Sequence, residues 1–195
     1  MCGLAGIFLT TARDEVDRAL LERMNLSQLH RGPDEGGLHT EPGVGLAHRR
    51  LSIIDLSSGQ QPLYNEDGSV VVVYNGEIYN FSALAEELRV LGHTFRTHCD
   101  TEVIVHAWEE WGDACVTRFR GMFAFALWDR NRETLFLARD RLGIKPLYYT
   151  LLPSGELVFA SELKAIKQHP GLDRSIDDRA VEEYFALGYI PEPRS

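Results

Sequence analysis

The stretch GMFAFALWDRNRETLFLARD, residues 121–140, constrains the fold more than any other. Two apolar runs, MFAFALWD and TLFLARD, flank the short polar segment DRNRE. So short a connection joins antiparallel strands, because a parallel crossover needs a dozen or more residues. CGLAGIFL (2–9) and VGLAHRRLSI (44–53) read as further strands. Asn65-Glu66-Asp67-Gly68 supplies hairpin turn chemistry ahead of the β-branched run SVVVVYNG. LYYT and ELVFAS are two more short strands around a Pro-Ser-Gly turn. RGPDEGG (31–37) reads as turn and loop, and LSSGQQP as loop.

Helical spacing marks residues 14–29, with Val16, Leu20 and Met24 on one face. It recurs in FSALAEELRVLG, capped by Asn80 or Ser82 and stopped at Gly92. A third helix, TEVIVHAWEEWG, starts at Asp100 or Thr101 and ends at Gly112. ELKAIKQ and DDRAVEEYFALG close the chain as helices. Strands come in hairpins and helices in separate blocks, which predicts an α+β fold with antiparallel sheets. No internal repeat or low-complexity segment interrupts it.

The chain has 195 residues, 44% hydrophobic and 25% charged, within the range of globular domains. Its net charge of −9 argues against a general nucleic-acid binder, which needs a basic footprint. No apolar run approaches the roughly 20 residues needed to span a bilayer, and no signal-peptide pattern is present. The three cysteines, Cys2, Cys99 and Cys115, are not a disulfide framework, so a reducing, cytoplasmic setting is expected. His98-Cys99 beside Asp100 lacks metal-site spacing and no CxxC or HExxH occurs, so no metal site is expected. The end, GYIPEPRS, reads as a linker leaving a domain, with prolines at 191 and 193.

Several polar groups stand where a binding site needs them. Cys2 is either a small buried hydrophobe or, once Met1 is removed, a nucleophile whose own α-amine is its base. Asn75-Gly76 follows an apolar strand and is either a turn or an oxyanion-binding pair of side-chain amide and backbone N–H. Arg49 and Arg50 point to opposite faces of a strand, so one can grip a carboxylate while the other stays at the surface, solvated or ion-paired. Asp100 is an N-cap or the partner of a substrate ammonium. A thiol, an oxyanion pair and a clamp of Arg50, Glu77 and Asp100 together read as cysteine-dependent acyl transfer on an amino acid. Cys99, Cys115, Trp108 and Trp111 read as core or interface residues.

The stretches MCGLAGIF, HRGPDEGG, LAHRRLSIIDLSSGQQPLYN, YNGEIYN, CDTEVIVHAWEEWG, GMFAFALWD, ARDRLGIKPLYY and FASELKAI run in this order. In this the chain resembles the glutaminase domains of glutamine-hydrolysing asparagine synthetases, class II glutamine amidotransferases. The resemblance implies the N-terminal-nucleophile hydrolase fold, a four-layer αββα sandwich of two antiparallel sheets. It implies a domain over 1–187, with 188–195 starting a linker toward a synthetase domain. It also implies Cys2 as nucleophile, Asn75 and Gly76 as oxyanion donors, and Arg50 on the glutamine α-carboxylate. Glu77 and Asp100 then receive the α-amine, Leu51 and Ile53 line the pocket, and Arg31 is a structural arginine nearby. Lys145 falls in a segment near the domain junction and is a candidate relay. The implied partners are L-glutamine and a synthetase domain in cis, with no nucleic acid or membrane; a homodimer is compatible with the sequence. The chain lacks SGGxDS and GxxxxGK, so it needs no cofactor itself, and ATP and Mg belong to the synthetase domain.

The expected reaction is hydrolysis of glutamine to glutamate and ammonia through a Cys2 γ-glutamyl thioester. Two alternatives stay open: the same glutaminase serving another acceptor, and a domain that only binds glutamine because Met1 is retained and the Cys2 amine is an amide.

Overall fold

The structure is a computed structural model, described over residues 1–52 and 59–192. One sheet contains β1 (Gly3–Leu9), β2 (Glu35–Glu41), β3 (Val44–Arg50), β8 (Tyr148–Leu151) and β9 (Glu156–Ala160), in the order β2-β3-β1-β9-β8. The other contains β4 (Leu63–Tyr64), β5 (Val70–Ile78), β6 (Gly121–Asp129) and β7 (Thr134–Arg139), in the order β4-β5-β6-β7. Every strand pair is antiparallel. The helices are α1 (Arg18–Leu26), α2 (Phe81–Val90), α3 (Asp100–Trp111), the short α4 (Cys115–Arg118), α5 (Leu163–Ile166) and α6 (Asp178–Leu187).

Side-chain alternation explains the layers. On β5, Val71 and Val73 face the other sheet, while Val70, Val72 and Tyr74 face the helices. On β6, Ala124, Ala126 and Trp128 join the inter-sheet core, and Phe123, Phe125 and Leu127 pack beneath α2 and α3. Burying each such aromatic contributes roughly 1.5–3 kcal/mol. On β1, Leu4 faces inward, while Ala5 and Ile7 meet Leu20, Leu21 and Met24 of α1 and Ala165 and Ile166 of α5. Three apolar cores therefore separate four layers, helix, sheet, sheet and helix, as the family resemblance implies.

Local chemistry sets the boundaries. Asp17 caps α1 by accepting from Leu20 N at 3.0 Å, so that helix starts later than periodicity suggests. Asp177 caps α6, which ends at Gly188 in the left-handed region. The β4–β5 turn closes through Asn65 N donating to Val70 O, with Gly68 at φ +75°.

The sequence reading needs four corrections. Residues 35–37, expected in a loop, open β2 and pair with β3 from Glu35↔Arg50 onward. This is an edge strand carrying two glycines and a glutamate at each end, so apolar alternation does not announce it. Neither Asn80 nor Ser82 makes a side-chain cap on α2; Asn80 instead bonds Arg118 O and Arg120 N. Asp100 is the first residue of α3 rather than its cap, which is Cys99. Arg49, expected to be solvated or ion-paired, instead donates to the carbonyls of Gly32 and Pro33. Cys115 and Trp108 are buried in the helix-side core, as expected.

Candidate active site

At one end of the sandwich a pocket of about 130 Å³ opens between the two sheets. That volume suits a small metabolite, well below the range for drug-sized ligands. Cys2, Arg50, Leu51, Asn75, Gly76, Glu77 and Asp100 all line it. Ile53, the remaining residue expected there, lies outside the described residues.

Cys2 immediately precedes β1 and is half-buried. Its Sγ accepts from Leu51 N at 3.5 Å and lies 3.8 Å from Leu51 O. Leu51 thus reaches the thiol through its backbone, and its N–H is a fixed dipole aimed at the sulfur. Arg31 holds the base of the site, with Nε donating to Cys2 O at 2.9 Å and an ion pair to Glu162 at 3.1 Å.

Asn75 and Gly76 sit where β5 loses its outer neighbour. Strand β4 pairs only with Val71 and Val72, so beyond them one edge of β5 is open. Along that edge Tyr74 N donates to Gln61 Oε1 at 2.6 Å and Ile78 N to Asp100 Oδ2 at 2.9 Å. Gly76, midway between them, points its N–H the same way by strand alternation. Its β6 partner Phe123 bonds away from β5, exchanging hydrogen bonds with Asp140. Asn75 is 2% exposed, and its Nδ2 has no hydrogen-bond acceptor among the described residues. Two donors are therefore presented side by side. Glycine is required at 76, because a Cβ would collide with Met122 O and come within 2.8 Å of Phe123 Cα.

Arg50 ends β3, is 4% exposed and pairs with Glu35 at 3.0 Å across the β2–β3 register. Asp100 is equally buried; its Oδ2 accepts from the Tyr74 hydroxyl at 2.7 Å as well as from Ile78 N. Burial pushes the Asp100 carboxyl pKa up, against these hydrogen bonds. A carboxylate that is costly to keep charged alone gains most from a cationic partner. Cys99 also lines the pocket, its thiol pKa raised by burial.

Sequence reasoning missed Tyr74, Gln61, Glu35 and Asp140 as supports. Gln61 brackets Tyr74, accepting from its N–H and donating to its O at 3.2 Å. Asp140 accepts from Phe123, Leu142, Ile144 and Lys145 N–H groups, shaping the loop that brings Lys145 into the pocket wall. Lys145 Nζ lies 3.7 Å from Met1 Sδ, and Met1 itself lines the pocket. The aspartate within the ARDRLG stretch was the one available signal.

Two facing antiparallel sheets between helix layers, with a thiol at the head of a central strand, define the N-terminal-nucleophile hydrolase class. The family of glutamine amidotransferase domains matches residues 1–195, and the chain belongs to it. The chain is similar to part of several asparagine synthetases. It is 42% identical over 197 residues to asparagine synthetase [glutamine-hydrolyzing] 1 of Bacillus subtilis, covering 99% of this chain and 30% of that protein. It is 49% identical over 179 residues to asparagine synthetase [glutamine-hydrolyzing] 2 of the same organism, covering 91% of this chain and 24% of that protein. The chain thus spans less than a third of the length of these relatives. Among solved structures, glutamine phosphoribosylpyrophosphate amidotransferase from B. subtilis shares the fold, with a TM-score of 0.67 and 22% identity. That match covers 85% of this chain and 43% of the other.

Proposed function

We propose that the chain hydrolyses L-glutamine to glutamate and ammonia through a Cys2 γ-glutamyl thioester. The ammonia serves an asparagine-synthetase-type domain joined in cis. The observation that carries this reading is that Asn75, whose buried Nδ2 has no acceptor among the described residues, and Gly76, on the open edge of β5, line one pocket with Cys2.

Removal of Met1 frees the Cys2 α-amine, and because α-amines and thiols as classes have similar proton affinities, proton transfer between them costs little. The amine takes the thiol proton, and the thiolate attacks the glutamine side-chain carbonyl carbon. Asn75 and Gly76 hold the oxyanion. The C–N bond breaks, and the amine returns its proton to the departing ammonia. Water then hydrolyses the thioester, releasing glutamate and restoring the thiol. Arg50 pairs with the substrate α-carboxylate, and Glu77 and Asp100 receive its ammonium; Leu51 and Ile53 wall the pocket.

In this reading residues 1–187 are the glutaminase domain and 188–195 begin the linker, in a cytoplasmic protein. Exposed Val181, Tyr184 and Phe185 on α6 offer an apolar face for the neighbouring domain. Among the described residues no helix is long and apolar enough to cross a membrane.

Intact mass before and after incubation with a diazo-ketone glutamine analogue tests the reading. A mass lacking Met1, raised by one adduct that maps to Cys2, is expected. A chain that lacks Met1 and still takes no adduct at Cys2 refutes it. Retained Met1 without an adduct favours the second reading, a domain that binds glutamine without turning it over.

A further inference from the structure

Away from the Cys2 pocket, Glu66, His93, His106 and Glu109 bring four potential ligand atoms within 4.8 Å of one another. Glu66 lies in the β4–β5 turn, His93 follows α2, and His106 and Glu109 are one turn apart on α3. His106 Nδ1 stands 3.3 Å from Glu109 Oε2 and 3.5 Å from Glu66 Oε2. His93 Nδ1 stands 3.9 Å from Glu109 Oε2 and 4.0 Å from Glu66 Oε1. With metal–ligand bonds of about 2.0–2.1 Å, a tetrahedral ion places its ligand atoms about 3.3–3.4 Å apart. The two distances from His106 match that separation, and His93 must close by about half an ångström to reach it.

An outer ring supports them. His106 Nε2 lies 3.6 Å from Glu102 Oε1, and His93 Nε2 lies 3.6 Å from Glu110 Oε2. A carboxylate behind each imidazole is the arrangement that orients metal-binding histidines. Asn65 Nδ2 donates to Glu109 Oε1 at 2.7 Å, and Thr94 N donates to Glu66 Oε1 at 3.0 Å. Glu102 is fixed by the N–H groups of Arg96 and Thr97. His106 is 1% exposed, yet its Nε2 has no hydrogen bond among the described residues.

Four carboxylates and two imidazoles need a cation. Arg96 gives its guanidinium to the Glu66 carbonyl at 2.9 Å. His93 Nδ1 stands beyond hydrogen-bond reach of both Glu66 and Glu109, whereas a metal ion between them engages both rings.

We propose that Glu66, His93, His106 and Glu109 form a structural Zn²⁺ site of two imidazoles and two carboxylates. The donor set suits zinc rather than magnesium or calcium, which take oxygen ligands. Four protein ligands leave no open position, which makes the site structural rather than catalytic. Partly exposed Glu66 gives the ion its entry path. The ion clips the β4–β5 turn and the α2–α3 connection onto α3, the helix that begins at Asp100.

The test is calorimetric titration of the tag-free, chelator-treated chain with Zn²⁺, and visible spectroscopy with Co²⁺. His93→Ala and Glu66→Gln change partly exposed positions, and their folding is checked by metal-free melting curves. One equivalent of Zn²⁺ is expected, with a tetrahedral Co²⁺ spectrum, a raised melting temperature, and affinity weakened more than tenfold in both variants. Binding no tighter in the parent than in His93→Ala overturns the proposal. So does binding that survives in His93→Ala and disappears in Cys2→Ala, which places the ion on the active-site thiol.

Discussion

The Tyr74 hydroxyl donates to Asp100 Oδ2 at 2.7 Å, joining strand β5 to the first residue of α3. The same strand presents the Asn75 amide and the Gly76 N–H on the pocket. One rigid element therefore positions the proposed oxyanion donors and braces the acid proposed to hold the substrate ammonium.

Tyr74→Phe removes that brace and keeps the ring in the helix-side core. Glutamine KM is expected to rise roughly 2–10-fold, the worth of one hydrogen bond of about 0.5–1.5 kcal/mol, with kcat within about twofold. Steady-state glutaminase kinetics of the processed chain check this. A tenfold fall in kcat at constant KM contradicts it.

Asn75→Ala deletes a proposed oxyanion donor without touching the proposed amino-acid clamp. A drop of about 10²–10³ in kcat is expected, with little change in KM. Arg50→Ala is expected to do the reverse, chiefly raising KM, because its contact is made equally in ground and transition states. The two variants measured side by side separate transition-state from substrate contacts.

Gly76→Ala drives a methyl into the β6 backbone at Met122 and Phe123. Overpacking of this kind costs about 1–3 kcal/mol. The urea midpoint is expected to fall with an unchanged slope, whereas a midpoint equal to the parent's indicates that β6 yields.

His48 lies between the sheets, fully buried, with Nε2 2.9 Å from Tyr74 O. Burial pulls its pKa down to about 3, with Arg50 and Arg49 adding to the effect and the Tyr74 hydrogen bond opposing it. The unfolded chain takes up this proton below about 6.5 and the folded chain does not. Stability is therefore lost as pH falls from about 6.5 to about 3, at up to about 1.4 kcal/mol per pH unit from this residue. Urea unfolding at pH 4.5, 5.5, 6.5 and 7.5 is expected to show a shallower acid slope in His48→Gln than in the parent.

The sequence by itself determined which faces are apolar and which strands are hairpins. Val70–Tyr74 and Phe123–Trp128 alternate toward two cores, and a connection as short as DRNRE permits only an antiparallel partner. Cys2, Arg50, Asn75, Gly76, Glu77 and Asp100 stood out in the sequence as polar residues adjoining apolar runs, and they line one pocket, although Asn75 to Glu77 lie inside β5 rather than after it. Tertiary structure alone decided that Arg31 anchors the Cys2 carbonyl, that Glu35 faces Arg50 across an edge strand, and that Tyr74 reaches Asp100. It also decided that Glu66, His93, His106 and Glu109 share one centre, although the histidine pattern along the chain shows no metal spacing. Periodicity reports neighbours within one element, where geometry is fixed by the backbone. Contacts between distant elements are fixed by how the layers pack, and no local spacing encodes them.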